Sequence, residues 1–336
     1  KWPDSQRKIM KAFCKTIVIA IAVLSLRVAT ADSPGPLFQG DEPLRVTITA
    51  PLSALLRARP EAPEFKGVFS YREPSGTPVE LDIQVRARGN FRLRICHFPL
   101  LHLNFRKSQV EGTLFDRQDK LKMVVHCKIT RQYEQSVLRE YLAYRLLNSV
   151  TDLSFRVRLL QVVWVDSEER RASMVRSAFL IEHKDRLAAR IGRTEQEIES
   201  AEITAIEPDH LNVLSMFQYL IGNVDFSPIA GSNGECCHNY AMFGTNADAL
   251  VPVPYDFDWC GMVNPHYAVP HPLINTEDVT DRVYRGFRKD MKIVEHTISI
   301  FNSKKEEIYR LFESNELLAR KEKKEAMKYL DTFFWI

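Results

Sequence analysis

The chain has 336 residues, 45% of them hydrophobic, which is enough for one large domain or two smaller ones with real cores. Its formal net charge of +3 depends on the N-terminus, because residues 1–31 hold six basic residues and one acidic residue. The remaining chain has a net charge of about −2. A nucleic-acid partner therefore has no electrostatic support.

The N-terminal segment has the three parts of a secretory signal peptide. Basic residues precede the apolar run TIVIAIAVLSL at 16–26, which is too short to cross a bilayer as a helix. Small residues then match a cleavage site near Ala31. Residues 1–9 lie upstream of Met10 and are left out of the fold prediction. A buried core helix is the alternative. We expect export to the periplasm or the medium, and no membrane span in the mature chain.

Five cysteines follow the predicted cleavage point: Cys96, Cys127, Cys236, Cys237 and Cys260. An oxidising compartment favours at least one disulfide. Cys96 and Cys127 flank neighbouring predicted strands, so we expect them to pair. Zinc binding by Cys236, Cys237 and His238 is the weaker alternative, because adjacent cysteines rarely chelate one ion and the chain has no C-x-x-C spacing.

The first half of the mature chain is predicted to be rich in strands. Leu81, Ile83 and Val85 alternate with polar residues, as in a strand with one buried face. Comparable runs occur at 45–49, 100–105, 121–125, 159–165 and 178–181. A helix at 133–150 interrupts them, with apolar residues at three- and four-residue spacing. These elements predict a small sheet with one long helix packed across it.

The second half is predicted to be mainly helical. The expected helices are a charged one at 195–205, one that Asp209 caps and Gly222 ends, and two more at 291–301 and 304–334. We therefore predict an α+β protein with two lobes and a cleft between them. The expected divisions are 1–31 for the signal and upstream residues, 32–185 for a β-rich N-lobe and 186–336 for a helical C-lobe.

One segment of the helical half does not have a helical pattern. Tyr240–Phe243 and Leu250–Tyr255 are strand-like and are separated by GTNADA, so they predict a hairpin that turns near Asn246. This pairing places Asn239 opposite Asp256. Two oxygen-bearing side chains at the end of a rigid ribbon suit Mg²⁺, which takes one or two protein oxygens and completes its shell with phosphate and water.

Asp225 follows the preceding helix on a loop that begins at Gly222. It would lie near the same ion as a base that accepts a hydroxyl proton, in the order Asp, Asn, Asp of a kinase catalytic loop. Each of the three residues alone is more often a turn or cap residue than a catalytic one. Their combination indicates a phosphotransfer site.

Three motifs around these residues resemble the catalytic block of CotH-type (spore coat protein H) kinases, a family of atypical, secreted, protein-kinase-like enzymes. The motifs are QYLIGNVDF at 218–226, HNYAMF at 238–243 and VPVPYDFDW at 251–259. Upstream similarities follow in the family's order: RARGNF at 86–91, LREYLAYRLL at 138–147 and SAFLIEHKDRL at 177–187. The resemblance covers over half of the chain.

The resemblance implies a two-lobed, atypical protein-kinase-like fold. It also implies that Asp225 is the catalytic aspartate, that Asn239 and Asp256 hold magnesium, and that Glu182 lies at the nucleotide hinge. Asp258 is the alternative metal ligand to Asp256.

The chain departs from the family pattern in three places. SPIAGSNGECCH separates Asp225 from Asn239, and the usual lysine pair before a strand is replaced by Phe-Pro-Leu-Leu at 98–101. The phosphate-binding lysine is then Lys107, Lys120 or Lys122, oriented by Glu140. The chain also has no G-x-G-x-x-G loop. Arg88, Gly89 and Asn90 would hold the phosphates instead, although Arg88 is equally interpreted as a structural ion-pair residue.

We expect a secreted kinase that binds ATP with Mg²⁺ or Mn²⁺ and phosphorylates a hydroxyl of a protein or a small molecule. A catalytically inactive pseudokinase or envelope binding module is the first alternative. A metal-dependent hydrolase using the same carboxylates is the second.

Overall fold

Seven strands of the N-terminal half form a closed barrel in the computed structural model, which describes residues 34–59, 61–231, 236–245, 249–287 and 290–335. The predicted signal peptide lies outside these residues. The strands are adjacent in the order β1-β2-β3-β4-β5-β7-β6. Their bounds are β1 Leu44–Ala50, β2 Phe65–Arg72, β3 Pro78–Arg88, β4 Leu100–Phe105, β5 Lys120–Val124, β6 Val157–Asp166 and β7 Met174–Ile181.

The barrel closes through a parallel pair of strands, β1 and β6, whereas its other neighbouring strands are antiparallel. The alternating apolar residues of β3 are buried as predicted, and they join one core with residues of the other strands. Gly67 of β2 permits a close approach to β1, because a Cβ at this position would lie 2.8 Å from the carbonyl oxygen of Thr49.

A second, three-stranded sheet contains β8 Thr194–Glu195, β9 Tyr240–Gly244 and β10 Val251–Pro254, in the order β10-β9-β8. The described helices are α1 Leu52–Arg57, α2 Phe91–Ile95, α3 Lys107–Val110, α4 Arg131–Val150, α5 Lys184–Ile191, α6 Pro208–Ile221, α7 Met291–Glu313 and α8 Arg320–Phe334. Among the residues with a described structure, no helix is long and apolar enough to cross a membrane.

The long helix α4 joins the barrel to the C-terminal helices. Its predicted apolar stripe is buried in the larger hydrophobic core, together with residues of β7, α6 and α7. Helix α6 ends at Gly222, which is left-handed with φ 65° as predicted. Its N-cap is Glu207 and not the predicted Asp209, because the Glu207 carboxylate accepts from the first backbone N–H groups of the helix.

The predicted two-lobed, kinase-like fold is wrong. The closed seven-stranded barrel replaces the small open sheet that the sequence predicted. Alternation indicates which face of a strand is buried, but it does not show that β1 pairs with β6, more than a hundred residues away in the chain. Strand β2 was also missing from the prediction. The predicted division between residues 185 and 186 falls within α5 and stays a prediction.

Two helix predictions are wrong as well. The charged segment 195–205 has only a 3₁₀ turn at Ile203–Ala205, because Glu195 belongs to β8 and the N–H of Gln196 donates to the carbonyl of Met242. The predicted break between the last two helices, near residue 303, falls inside α7. The chain breaks at residues 314–319 instead.

The predicted disulfide between Cys96 and Cys127 is confirmed, with both residues buried. Cys236 and Cys237 are joined in a second, vicinal disulfide. Their sulfur atoms are therefore bonded to each other, and the zinc alternative at Cys236, Cys237 and His238 is wrong. Cys260 is free and buried, and burial raises the pKa of its thiol to about 12.

Candidate active site

The β9–β10 hairpin brings Asn239 and Asp256 to the same end of the ribbon. Pro254 pairs with Tyr240 across the hairpin, and the N–H of Tyr255 donates to the carbonyl oxygen of Asn239 at 3.0 Å. Asn239 and Asp256 therefore stand at its open end. The predicted pairing is confirmed, whereas the turn predicted near residue 246 lies outside the described residues.

Both of these residues have a left-handed backbone. The φ angle is 57° at Asn239 and 64° at Asp256. This region costs a residue with a side chain about 1–2 kcal/mol, although Asn and Asp tolerate it better than most. At Asp256 a tertiary contact holds this backbone conformation, because its N–H donates to the Tyr144 hydroxyl at 2.9 Å. Backbone strain of this kind is concentrated at functional sites, so its occurrence at both residues supports a functional role.

Asp225 lies directly against Asn239. The Nδ2 of Asn239 donates to the backbone oxygen of Asp225 at 2.7 Å and to its Oδ2 at 3.2 Å. On the other side, Nε2 of His238 donates to Oδ1 of Asp225 at 2.7 Å. The structure thus joins two of the three predicted residues by direct contact, and it adds His238, which the sequence prediction assigned only to the zinc alternative.

The two described ends of the segment between Asp225 and Asn239, residues 226–231 and 236–238, lie against each other, which explains how Asp225 and Asn239 meet. Ser227 and His238 form an antiparallel bridge, with the N–H of Ser227 donating to the carbonyl of His238 at 3.0 Å. The N–H of His238 donates in turn to the carbonyl of Ala230 at 3.2 Å. The described ends of the insertion therefore pair with each other, which keeps Asp225 beside Asn239.

The surroundings keep Asp225 ionised. Burial alone would raise the pKa of its carboxyl, but the hydrogen bond from His238 and the positive charges of His238 and His271 hold that pKa below its usual value. The hydrogen bond to Asp225 correspondingly raises the pKa of His238. Asp256 behaves in the opposite way, because burial and the neighbouring Asp258 raise the pKa of its carboxyl to about 6.

A cavity of about 540 Å³ lies between the barrel and the hairpin. This volume is in the usual range for small-molecule sites. Five predicted site residues line it: Arg88, Lys122, Glu140, Glu182 and Asp256. Aromatic, histidine and cysteine side chains complete the wall, among them His102, Tyr144, Phe155, Cys236, Cys237, His238, Tyr240 and Tyr255.

Lys122 is the predicted lysine that reaches this cavity. Lys122 is exposed on β5, and its Nζ lies 5.0 Å from the centre of the Tyr255 ring. Desolvation by the surrounding protein and the positive charge of Arg88 lower the pKa of the Lys122 ammonium group. Arg88 is positioned by a hydrogen bond from its Nε to the carbonyl of Leu101 at 3.2 Å. Two cations therefore face the same space as Asp256.

The other predicted phosphate ligands lie elsewhere. Lys107 and Lys120 line a different cavity, and Lys107 forms an ion pair with Asp119 at 3.1 Å. Asn90 is exposed at the start of the short helix α2 and does not line the 540 Å³ cavity. The structure therefore does not bring these three residues to the site.

The expected pairing of a lysine with Glu140 is replaced by one with Arg92. The buried guanidinium of Arg92 lies 3.6 Å from Glu140 and 3.8 Å from Asp258. Asp258 also accepts a hydrogen bond from the Tyr267 hydroxyl at 2.7 Å. Asp258 thus belongs to a buried network behind the cavity, and Asp256 is the acid that faces it. Arg92 could have been proposed from the sequence, because it is the second residue after the RGN motif.

Glu182 lies at the end of β7 and lines the cavity, but its carboxylate is already bound. Arg190 donates to it from Nε at 3.1 Å and from Nη2 at 2.9 Å, and the N–H of Arg156 adds a bond at 3.1 Å. A polar contact from Glu182 to a ligand would therefore involve its backbone.

Arg285 supports the loop that carries Asp225. Its Nη1 donates to the carbonyl of Val224 at 2.6 Å and to that of Phe226 at 2.9 Å, the two residues on either side of Asp225. The guanidinium also stacks on the Phe226 ring at 4.8 Å. This role could not be predicted from the sequence, because sixty residues separate Arg285 from the loop.

No protein-family model matches this chain, and no curated protein matches it at a significant level. The resemblance to CotH-type kinases therefore stays a prediction that rests on short motifs.

Proposed function

We propose that this protein is an exported phosphotransferase that transfers the terminal phosphate of a nucleotide to a hydroxyl group. The observation that carries the proposal is the direct contact of Asp225 with Asn239, which shares the end of the hairpin with Asp256. Asp256 lines the 540 Å³ cavity together with Lys122 and Arg88, whereas Asp225 lines a separate cavity of about 270 Å³. Ionised oxygens beside fixed cations are what binding of a metal–polyphosphate complex requires. The proposal concerns this arrangement of side chains, and it does not depend on a kinase fold.

The oxygen ligands at the hairpin fit Mg²⁺ or Mn²⁺. No group of three or more His, Cys, Asp or Glu suitable for a metal occurs in the described parts of the chain, which argues against a zinc-type centre there. Magnesium needs only one or two protein oxygens, and Asp256 with the Oδ1 of Asn239 would supply them. Burial and the neighbouring Asp258 raise the pKa of Asp256, and the charge of a bound cation would lower it. When bound, the ion would neutralise charge on the phosphates.

The chain's own residues would then perform three tasks. Arg88 and Lys122 contact phosphate oxygens, and the His238 hydrogen bond fixes the carboxylate of Asp225. Asp225 accepts the proton of the substrate hydroxyl as the new oxygen–phosphorus bond forms and the bond to the leaving diphosphate breaks. A carboxylate with a low pKa is a weak base, so its main contribution is orientation of the hydroxyl.

Thermal unfolding with ATP, with and without Mg²⁺, tests nucleotide binding. Near 100 times the Kd, binding adds about 2.7 kcal/mol, or roughly 4 °C in Tm for a domain of about 300 residues. We expect this shift to need the metal and to be lost in Asp256→Asn, which keeps the shape of the side chain. Lys122→Ala should also reduce it, whereas Lys107→Ala, in the other cavity, should not. If millimolar ATP with Mg²⁺ leaves the wild-type Tm unchanged, the proposal is wrong.

Transfer itself is tested with γ-labelled ATP and Asp225→Asn as the control. Incorporation of label by the wild type and not by the variant supports catalysis. A non-catalytic nucleotide-binding protein is the second candidate, favoured by the pairing of Glu140 with Arg92 where a lysine was expected. Metal-dependent binding without any incorporation would support this second candidate.

A further inference from the structure

The 270 Å³ cavity that has Asp225 in its wall is distinct from the 540 Å³ cavity, and the two share no described lining residue. We name the smaller one the Asp225 cavity. His238, which donates a hydrogen bond to Asp225, lines the larger cavity. The contact between His238 and Asp225 therefore connects the walls of the two cavities. A group bound in each would approach the other at this contact.

His271 also lines the Asp225 cavity, and its Nε2 lies 4.0 Å from Oδ1 of Asp225. The Nδ1 of His271 accepts a hydrogen bond from the N–H of Leu273 at 3.2 Å, so the ring proton is on Nε2. A donor on His271 thus lies near an acceptor on Asp225. At 4.0 Å the two atoms are too far apart to form a hydrogen bond with each other.

A hydroxyl group fits between these two atoms. Its hydrogen bonds are about 2.7–3.0 Å long, so one oxygen atom can reach both Nε2 of His271 and Oδ1 of Asp225. A hydroxyl accepts one hydrogen bond and donates another, which matches the two side chains. Asp225 has the capacity for this bond, because an ionised carboxylate has about four acceptor positions. The side chains of His238 and Asn239 each donate to one of them.

The rest of the wall favours a neutral, apolar group next to that hydroxyl. Val224, Trp259, Val269 and Val279 are among the lining residues. The described lining contains three aspartates and no lysine or arginine, so it would repel an anion. The volume lies just below the usual range for sites that hold drug-sized molecules. These features indicate a small neutral alcohol.

We propose that the Asp225 cavity binds the acceptor alcohol of the phosphotransfer reaction and that His271 positions its hydroxyl. The Nε2–H of His271 donates to the alcohol oxygen, and the hydroxyl donates to Asp225. During transfer the hydroxyl proton passes to Asp225, the alcohol oxygen bonds to the terminal phosphorus, and the bond from that phosphorus to the leaving diphosphate breaks. The reaction rests on the proposed function, whereas the alcohol site itself requires no nucleotide.

Ligand-observed NMR titration with three probes tests the alcohol site without nucleotide. Benzyl alcohol accepts and donates a hydrogen bond, benzyl methyl ether only accepts, and benzoate is an anion. One hydrogen bond corresponds to about five-fold in affinity. We therefore expect benzyl alcohol to bind at least about five-fold more tightly than either of the other probes.

Variants of His271 test its role. His271→Leu should weaken benzyl alcohol about five-fold, whereas His271→Gln, which keeps an N–H donor, should stay within about two-fold of the wild type. His266→Leu is the matched control, because His266 lies on the same segment and does not line the cavity; it should change nothing. Val269→Trp is a second variant of the wall, at a residue that is 61% exposed, and it should weaken all three probes by filling the cavity.

Transfer of label from γ-labelled ATP to benzyl alcohol separates this inference from the proposed function. His271→Leu should raise the KM for benzyl alcohol about five-fold and leave the KM for ATP unchanged, whereas Lys122→Ala should do the reverse. If ATP does not bind but benzyl alcohol binding still depends on His271, the phosphotransfer proposal fails and the alcohol site stands.

Four results would overturn the inference. They are equal binding of benzyl alcohol and its methyl ether, unchanged binding in His271→Leu, no binding of benzyl alcohol at about 20 mM, and binding without transfer of label in a wild type that binds ATP.

Discussion

The buried pair of Arg190 and Glu182 offers a sharp test of how the cavity wall is held. Glu182 is 2% exposed and Arg190 8% exposed, and Arg190 also donates to the carbonyls of Asp152 at 2.8 Å and Ser154 at 2.7 Å. Arg190→Met would leave the Glu182 carboxylate buried without its guanidinium partner. Breaking such a pair costs about 3–5 kcal/mol. For a domain of about 300 residues this corresponds to a fall in Tm of roughly 5–8 °C.

Urea unfolding and calorimetry of the variants measure this effect. Arg86→Met is the matched control, because Arg86 pairs with Glu64 at the surface at 3.9 Å, with both side chains more than 40% exposed; its cost should stay below about 1 kcal/mol. The double variant Glu182→Leu/Arg190→Met removes both charges and should recover at least about 1.5 kcal/mol relative to the sum of the single variants. A loss under about 1 kcal/mol for Arg190→Met would refute the reasoning.

Burial lowers the pKa of His210 to about 4, whereas in the unfolded chain it is about 6.5. The contribution of neutral His210 to stability is therefore complete above about pH 6.5 and is lost as the pH falls towards 4. Urea unfolding from pH 4.5 to 7.5 should show a wild-type slope that exceeds that of His210→Gln by up to about 1.4 kcal/mol per pH unit; equal slopes would contradict this. Replacing Cys96 and Cys127 by serine removes a disulfide that spans 31 residues and should lower the free energy of unfolding by about 3–4 kcal/mol. Urea unfolding of the wild type under reducing conditions should show the same decrease. Gly67→Ala should lower Tm by several degrees in calorimetry, because its Cβ would meet the Thr49 carbonyl at 2.8 Å; an unchanged Tm would show that the strands separate without cost.

Local patterns in the sequence determined several parts of the site correctly. The turn-flanked apolar runs predicted the β9–β10 hairpin, and its pairing placed Asn239 and Asp256 at one end. The apolar stripe predicted α4, and Gly222 predicted the end of α6. These features depend on residues close in the chain, for which side-chain period and backbone preference carry the information.

Tertiary structure decided which distant elements meet. The parallel pairing of β1 with β6 closes the barrel, and no local pattern encodes it. The segment after Glu195 has helix-forming residues, yet the N–H of Gln196 donates to Met242 of β9 and that of Ala201 donates to Ile229. Tertiary contacts therefore override helix propensity here. Packing also places Arg92 beside Glu140, because its Nη2 donates to the carbonyl of Val125 and its charge lies between two acids, Glu140 and Asp258. The sequence alone therefore indicated Asp225, Asn239 and Asp256. Packing added His238 and Arg285, and it left Lys107 and Lys120 at another cavity.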